Sequence, residues 1–263
     1  MIGGGVMGEA MISCLLQNQV FQPQEIAVSD LSESRLGTLA AKYGILTYLA
    51  DSNSPVWTAD TLLLAIKPQI FHQEFTCPFP SDRPSPGLVI SIMAGIPLAQ
   101  LQAAFPTRAV IRAMPNTPAQ VGCGVTAFAL GSNAQPAHCA IASQIFGAVG
   151  EVVEVKEAQI NAITGLSGSG PAFIAIAIEA MADAGVAMGL ARTTALQLAI
   201  QTVLGTATLI KQTALSPSAI KDQVASPGGT TIAGIRQLER LGLRTALIEA
   251  VCAATARADE LDR

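Results

Sequence analysis

The sequence predicts an α/β protein: an N-terminal doubly wound half of strands joined by crossover helices, followed by an all-helical half. Two observations predict it. Up to about residue 155, short aliphatic and β-branched runs alternate with stretches of helical periodicity, the pattern of strand–helix–strand units. From Glu157 onward the β-rich runs stop, and apolar residues recur at helical spacing to the end of the 263-residue chain.

Strands are expected over 25–29, 45–48, 61–66, 88–92, 109–112, 125–129 and 151–155. Helices are expected between them over 6–19, 32–43, 98–104 and 135–148. Alternation of this kind implies parallel crossover connections. The second half reads as helices over 158–164, 171–188, 193–213, 216–224, 230–241 and 243–261. The composition shift divides the chain into domains 1–156 and 157–263, with no flexible linker between them. Firm packing of the halves is therefore expected.

Half of the chain is hydrophobic and only 13% is charged, with few aromatics. Helices this rich in Ala, Leu, Ile and Val carry more apolar surface than one small bundle buries, which predicts a homo-oligomer, at least a dimer. The net charge of −4, without any Lys/Arg cluster, argues against a nucleic-acid partner. Cys14, Cys77, Cys123, Cys139 and Cys252 form no C-x-x-C pair and read as free, buried thiols of a reducing compartment. His72 and His138 lack ligand-like neighbours, so no metal site is expected. No basic stretch followed by an apolar run opens the chain, which points to a cytoplasmic protein without a signal peptide. Residues 171–190 are apolar over the ~20 residues that a membrane span needs. Glu179 and Asp183 interrupt them on one face, so a helix buried among other helices is expected instead, with no membrane partner.

Gly3-x-Gly5-x-x-Gly8 opens the first helix. The first glycine allows a tight turn, the second lets backbone approach a pyrophosphate, and the third lets the helix pack on a strand. A strand ending in Ser29-Asp30 follows at about the twenty-residue distance of a Rossmann-type dinucleotide site. Asp30 would suit a ribose diol, as in NAD binders. Ser29, Ser32 and Arg35 would suit a 2′-phosphate, which Asp30 would repel. One feature does not fit: a strand of about five residues should precede the loop, and only Met1 and Ile2 do. The expectation is a chain lacking its true start.

A second glycine turn, Ser226-Pro227-Gly228-Gly229-Thr230-Thr231, runs into an amphipathic helix carrying Ile232, Ile235, Leu238 and Leu241. Free N–H groups and the positive end of a helix make it a seat for an anion. Two such seats suggest two anionic ligands. Thr231 also reads as a plain helix cap, Lys67 as a surface lysine, and Arg112 as the partner of an acid.

Five stretches in order carry a family resemblance: Gly3 to Gly8; Ala65-Ile66-Lys67-Pro68-Gln69; Arg112-Ala113-Met114-Pro115-Asn116-Thr117-Pro118; Thr164-Gly165-Leu166-Ser167-Gly168-Ser169-Gly170-Pro171-Ala172; and Ser226 to Thr231. Together they resemble the pyrroline-5-carboxylate reductases along the whole chain. The resemblance implies a dinucleotide domain followed by a helical domain that intertwines with its partner in a dimer, and in some members a decamer. It implies reduction of the cyclic imine of 1-pyrroline-5-carboxylate to L-proline by NADPH, with NADH as the alternative, the last step of proline synthesis. By the same resemblance Gly3, Gly5, Val6, Met7 and Gly8 lie along the pyrophosphate, while Ser29, Asp30 and Asn53 face the adenosine ribose. Ala65, Lys67, Met93, Ala94, Gly95 and Asn116 lie on the nicotinamide side. Ser167, Ser169, Gly170 and Pro171, with Gly228, Gly229, Thr230 and Thr231, close around the substrate. Thr231 and Lys67 are the candidate catalytic residues. The chain departs from the family at Gln223, often asparagine, and at Ala214, acidic in some members, which leaves the amine contacts of the substrate open.

Two rivals remain. A β-hydroxyacid dehydrogenase shares the architecture but needs a catalytic lysine after its glycine turn, and no lysine stands between Lys156 and Lys211. A non-catalytic NADP(H) sensor would keep the first glycine loop but would have no use for the second anion seat.

Overall fold

The computed structural model of the chain describes residues 1–51, 53–74 and 87–262, with 72–74 as backbone only. The side chain of His72 and all of Cys77 lie outside the described residues. The described chain forms two compact units, Met1–Ser169 with the chain from Ala253 on, and Gly170–Cys252.

The first unit alternates as its sequence predicts: α1 (Val6–Gln17), β1 (Ala27–Asp30), α2 (Glu33–Tyr43), β2 (Leu46–Leu49), β3 (Thr61–Leu64), α3 (Pro68–Glu74), β4 (Leu88–Ser91), α4 (Leu98–Ala104), β5 (Ala109–Met114), β6 (Gly124–Leu130), α5 (Pro136–Gly147), β7 (Gly150–Glu154) and α6 (Ile160–Ile163). β1 pairs with β2, and β3 to β7 pair in sequence order. Ile2 joins the two sheets as a single bridging residue, parallel to Ser29 on one side and Leu64 on the other. It receives a bond from Ala65 N–H at 2.7 Å and donates to Leu63 O at 2.8 Å. The place of a central strand is thus taken by Met1 to Gly3.

Strands buried on both faces read as unbroken apolar runs, and β4 is buried at every position. Alternate residues feed two separate cores. Ile90 and Ile111, paired across β4 and β5, join Met11, Leu39 and Phe146 in one. Val89 and Val110, one step along, join Leu64, Leu101 and Phe105 in the other.

β5 and β6 run antiparallel, with Ala113 opposite Phe128, the one departure from parallel pairing among the described strands. Residues 115–123 connect them through a 3-10 turn at Thr117–Val121, with no room for a crossover helix.

The second unit holds α7 (Gly170–Ala187), α8 (Arg192–Thr213), α9 (Pro217–Val224), α10 (Thr230–Arg240) and α11 (Leu243–Leu261), whose end belongs to the first unit. α7 and α8 pack through small residues: Ala182, Ala195 and Ala199 form their core, and a Cβ on Gly185 would stand 2.9 Å from that of Ala195. Burial of α7 among other helices does not occur within this chain. Only Ala182 of α7 is buried, and Ile176, Met188, Leu198 and Leu204 are each more than half exposed. Two helical stretches, Glu157–Ala187 and Arg192–Thr213, are long and apolar enough to cross a membrane.

The thiols of Cys14, Cys123, Cys139 and Cys252 are free, but Cys123 and Cys252 are exposed rather than buried. His138 Nδ1 accepts the Gln135 N–H at 3.0 Å and closes the start of α5.

Candidate active site

Each glycine of the first loop has a distinct geometric reason. Gly3 has φ +95°, and a Cβ there would stand 2.6 Å from Ala65 O. A Cβ on Gly8 would stand 2.5 Å from Gly3 O, so α1 approaches the loop this closely only without a side chain. Gly5, the N-cap of α1, faces open space. The N–H groups of the first turn of α1 have no acceptor within the helix and can receive an anion from that side.

The connection from β1 to α2 grips this loop. Asp30 Oδ2 accepts from Gly4 N–H at 2.8 Å, and Oδ1 accepts from Ser32 N–H at 3.0 Å. Ser32 Oγ caps α2 by accepting the Arg35 N–H. Arg35 Nε donates to Gly4 O at 2.5 Å, and its Nη2 pairs with Glu9 on α1. Lys42 and Tyr43 also donate to Glu9, at 2.8 and 3.0 Å. Bonds from Lys42, then Arg35, hold the Glu9 carboxyl down to about 2.

Two cavities lie at the C-terminal ends of the strands, where open α/β sheets take ligands. One, of about 200 Å³, is mostly apolar and lined by Ser29, Asp30, Leu31, Trp57, Ile66 and Ile70. The other, of about 260 Å³, is lined by Met7, Ala65, Ile92, Met114, Asn116 and Gly168, and shares Ile66 with the first. An apolar slot beside a strand-end aspartate suits an adenosine. The second cavity, with no ionisable side chain on its wall, suits a nicotinamide. The open space before Gly5 suits the pyrophosphate. The residues present therefore fit a dinucleotide.

The second cavity is shaped by Asn116. Its Nδ2 donates to Ser167 O at 3.1 Å, and its Oδ1 accepts from Val125 N–H at 2.9 Å. The segment it holds, Thr164–Gly168, is a π-helical turn closed by Ser169 N–H donating to Thr164 O. Such turns recur at functional sites. Ser167 Oγ is bonded to Ile163 O.

Among the other predicted residues, Val6 is exposed at the start of α1. Asn53 is exposed, its N–H donating to Asp51 Oδ1. Lys67 is exposed after β3. Met93 is buried, and it is the preceding Ile92 that reaches the cavity wall. Ala94 is half-buried, and Gly95 abuts Leu261, whose carbonyl would stand 3.2 Å from an added Cβ. Trp57, Leu31 and Ile70 were not singled out from the sequence. Arg112 does pair with acids, bidentate with Asp262 and at 3.4 Å with Glu157.

In the second unit, Gly170 and Pro171 open α7. Gly228 turns the chain at φ +69° into α10, whose N-cap is Gly229 with no side-chain capping bond. Thr231, at the second helical position and half-buried, is therefore not the cap. A hollow of about 510 Å³ there is lined by Gly228, Gly229, Ile232, Ala233, Ile235 and Arg236. Arg236 adds a positive charge that sequence reading passed over.

Comparison with known proteins identifies the family. The family profile described as pyrroline-5-carboxylate reductase dimerisation matches residues 157–261, and one described as NADP oxidoreductase, coenzyme F420-dependent, matches residues 1–95. The pyrroline-5-carboxylate reductase of Synechocystis sp. is 49% identical over 263 residues, spanning 100% of this chain and 97% of the relative. A solved structure of the Coxiella burnetii reductase superposes with a TM-score of 0.90 at 35% identity, over 100% of this chain and 97% of the other. The Plasmodium falciparum pyrroline carboxylate reductase, solved with NADP bound, gives 0.88 at 26% identity, over 100% and 97%.

Proposed function

This chain belongs to the pyrroline-5-carboxylate reductase family, and from that premise we propose how its residues carry the reaction. The enzyme reduces 1-pyrroline-5-carboxylate to L-proline with NAD(P)H, the last step of proline synthesis. The observation that carries the residue-level reading is the pair of strand-end cavities sharing Ile66 behind the Gly3, Gly5 and Gly8 loop.

NADPH is the donor, with NADH as a second. When bound, the dinucleotide supplies a hydride to the imine carbon. Gly5, Val6 and Met7 receive the pyrophosphate on their backbone. Gly3 and Gly8 keep the loop and helix close enough for it, and Ser29 and Asp30 border the adenosine with Asn53 beyond. Ala65 and Asn116 line the nicotinamide slot; Lys67, Met93, Ala94 and Gly95 stand behind or beside it. The carboxylate of the substrate is held by the N–H groups of Gly229, Thr230 and Thr231, with Arg236 adding charge. Thr231 Oγ hydrogen-bonds the ring nitrogen and orients the imine, which arrives already protonated from solvent, so that hydride addition alone completes the amine. Gly228, Ser167, Ser169, Gly170 and Pro171 shape the rest of the substrate surface. The cavity wall offers no acid, so the rate comes from placement rather than from a strong proton donor.

A functional boundary at 156/157 is supported by the start of the dimerisation match at residue 157, while compactness changes at Ser169. The exposed faces of α7 and α8 are covered by a second copy, and assembly beyond a dimer, to a decamer, and a cytoplasmic location belong to the same reading. The reading is tested by incubating enzyme, NADPH and 1-pyrroline-5-carboxylate and quantifying L-proline. One proline formed per NADPH oxidised supports it. NADPH binding without proline formation would favour the sensor.

A further inference from the structure

Arg35 stands at the start of α2, across 31 residues of sequence from the carbonyl it grips. Its Nε donates to Gly4 O at 2.5 Å, its Nη2 reaches Gly5 O at 3.4 Å, and the same nitrogen pairs with Glu9. Gly5 O also accepts the first helical bond of α1, from Glu9 N–H at 2.8 Å. On its other side Gly4 is held by Asp30, which accepts its N–H. Both peptide groups flanking Gly4 are thus fixed by the β1–α2 connection.

In a trans peptide the C=O and the N–H point in opposite directions across one rigid plane. The carbonyl of Gly4 shares its plane with the N–H of Gly5, and the carbonyl of Gly5 shares its plane with the N–H of Val6. Holding these carbonyls from behind aims the two N–H groups to the front. Without Arg35, the Gly4 carbonyl loses its partner, and the glycines on both sides let the Gly4–Gly5 peptide plane rotate. The guanidinium also polarises the peptides it touches, which makes their N–H groups better donors to an anion.

Resting on the cofactor reading above, we propose that Arg35 is a positioning residue for the pyrophosphate, acting through the Gly4–Gly5–Val6 backbone, and not the ligand of the adenosine 2′-phosphate. Its engaged guanidinium faces the loop and Glu9. The alternative role makes an opposite forecast about cofactor choice, because a 2′-phosphate is present in NADPH and absent from NADH. Loss of a charge-assisted bond that orients two donors weakens binding by about tenfold.

The test is calorimetric binding, without substrate, of NADPH, NADH and adenosine 2′-monophosphate to the wild type, Arg35→Ala and Arg35→Lys. The proposal expects Arg35→Ala to weaken NADPH and NADH by the same factor, about tenfold, and to leave adenosine 2′-monophosphate unchanged. Arg35→Lys, which keeps a donor and the charge, recovers part of the loss and serves alone if the alanine variant does not fold. A loss confined to NADPH and adenosine 2′-monophosphate would overturn the proposal in favour of direct phosphate contact. Unchanged binding of all three ligands would overturn it as well. A wild type that binds neither dinucleotide would instead sink the cofactor reading, and this inference with it.

Discussion

Arg112 in β5 and Asp262 beyond the end of α11, 150 positions apart, form a bidentate ion pair at 2.9 and 3.1 Å. The Arg112 side chain is only 3% exposed. Asn161 bridges the same cluster by donating to Asp262 and Asp259. The last helical turn of the chain is thereby fastened to the sheet of the first unit, which is why the residues from Ala253 on group with it.

Removing one partner of a buried pair leaves a charge without its counterion. Asp262→Ala is expected to cost roughly 3 kcal/mol of stability by denaturant titration, since Glu157 compensates Arg112 only in part. Arg244→Ala, which breaks the exposed pair with Glu239, is expected to cost less than about 1 kcal/mol. Equal effects would mean that the Arg112 cluster contributes no more than a surface pair.

Acid should loosen the α1–α2 clamp. The Glu9 carboxyl titrates near 2 in the folded protein against an ordinary 4.5, so it is depressed by folding. Its contribution is complete above about 4.5 and is lost as the pH falls toward 2. Glu9→Gln is expected to be less stable than wild type near neutrality, by roughly 1 kcal/mol for a partly exposed network. The two stability curves should converge as the pH approaches 2. Thermal melts across this range check it, and a constant gap would refute it.

Leu196, Ile200 and Leu204 stand four residues apart along α8, each more than 40% exposed. They make one apolar stripe of the kind a second copy would cover. Ile200→Glu with Leu204→Glu is expected to shift the protein to monomer in sedimentation velocity, with a large loss of activity. An unchanged assembly would place the interface elsewhere.

Much of the fold is legible in the sequence because periodicity changes where structure changes. The runs 61–66 and 88–92 announce β3 and β4, and the switch to helical spacing after Glu157 announces the second unit. The antiparallel β6 is hidden because a residue run carries strand propensity but not direction, and only the shortness of residues 115–123 hints at it. In the site, Gly3 and Gly8 are legible because each spacing answers a steric demand. Trp57 and Ile70 are not, since sheet order alone brings these distant residues beside Ser29, where Leu31 also lies simply by following Asp30. Ile92 was overshadowed by its neighbour Met93, because a strand end sends successive side chains to opposite faces. The grip of Arg35 on Gly4 O has no sequence signature at all: a side chain meeting a backbone carbonyl leaves no pattern in residue types.

The most direct test of the central claim is the steady-state rate of NADPH oxidation with 1-pyrroline-5-carboxylate in wild type and Thr231→Ala, both shown to be folded and to bind NADPH equally. The account predicts turnover by the wild type and a fall of about 10²-fold in kcat for Thr231→Ala, the size expected when a group orienting a reacting atom is removed. Full activity in Thr231→Ala would remove that residue from the site, and a wild type without turnover would contradict the assignment of the reaction.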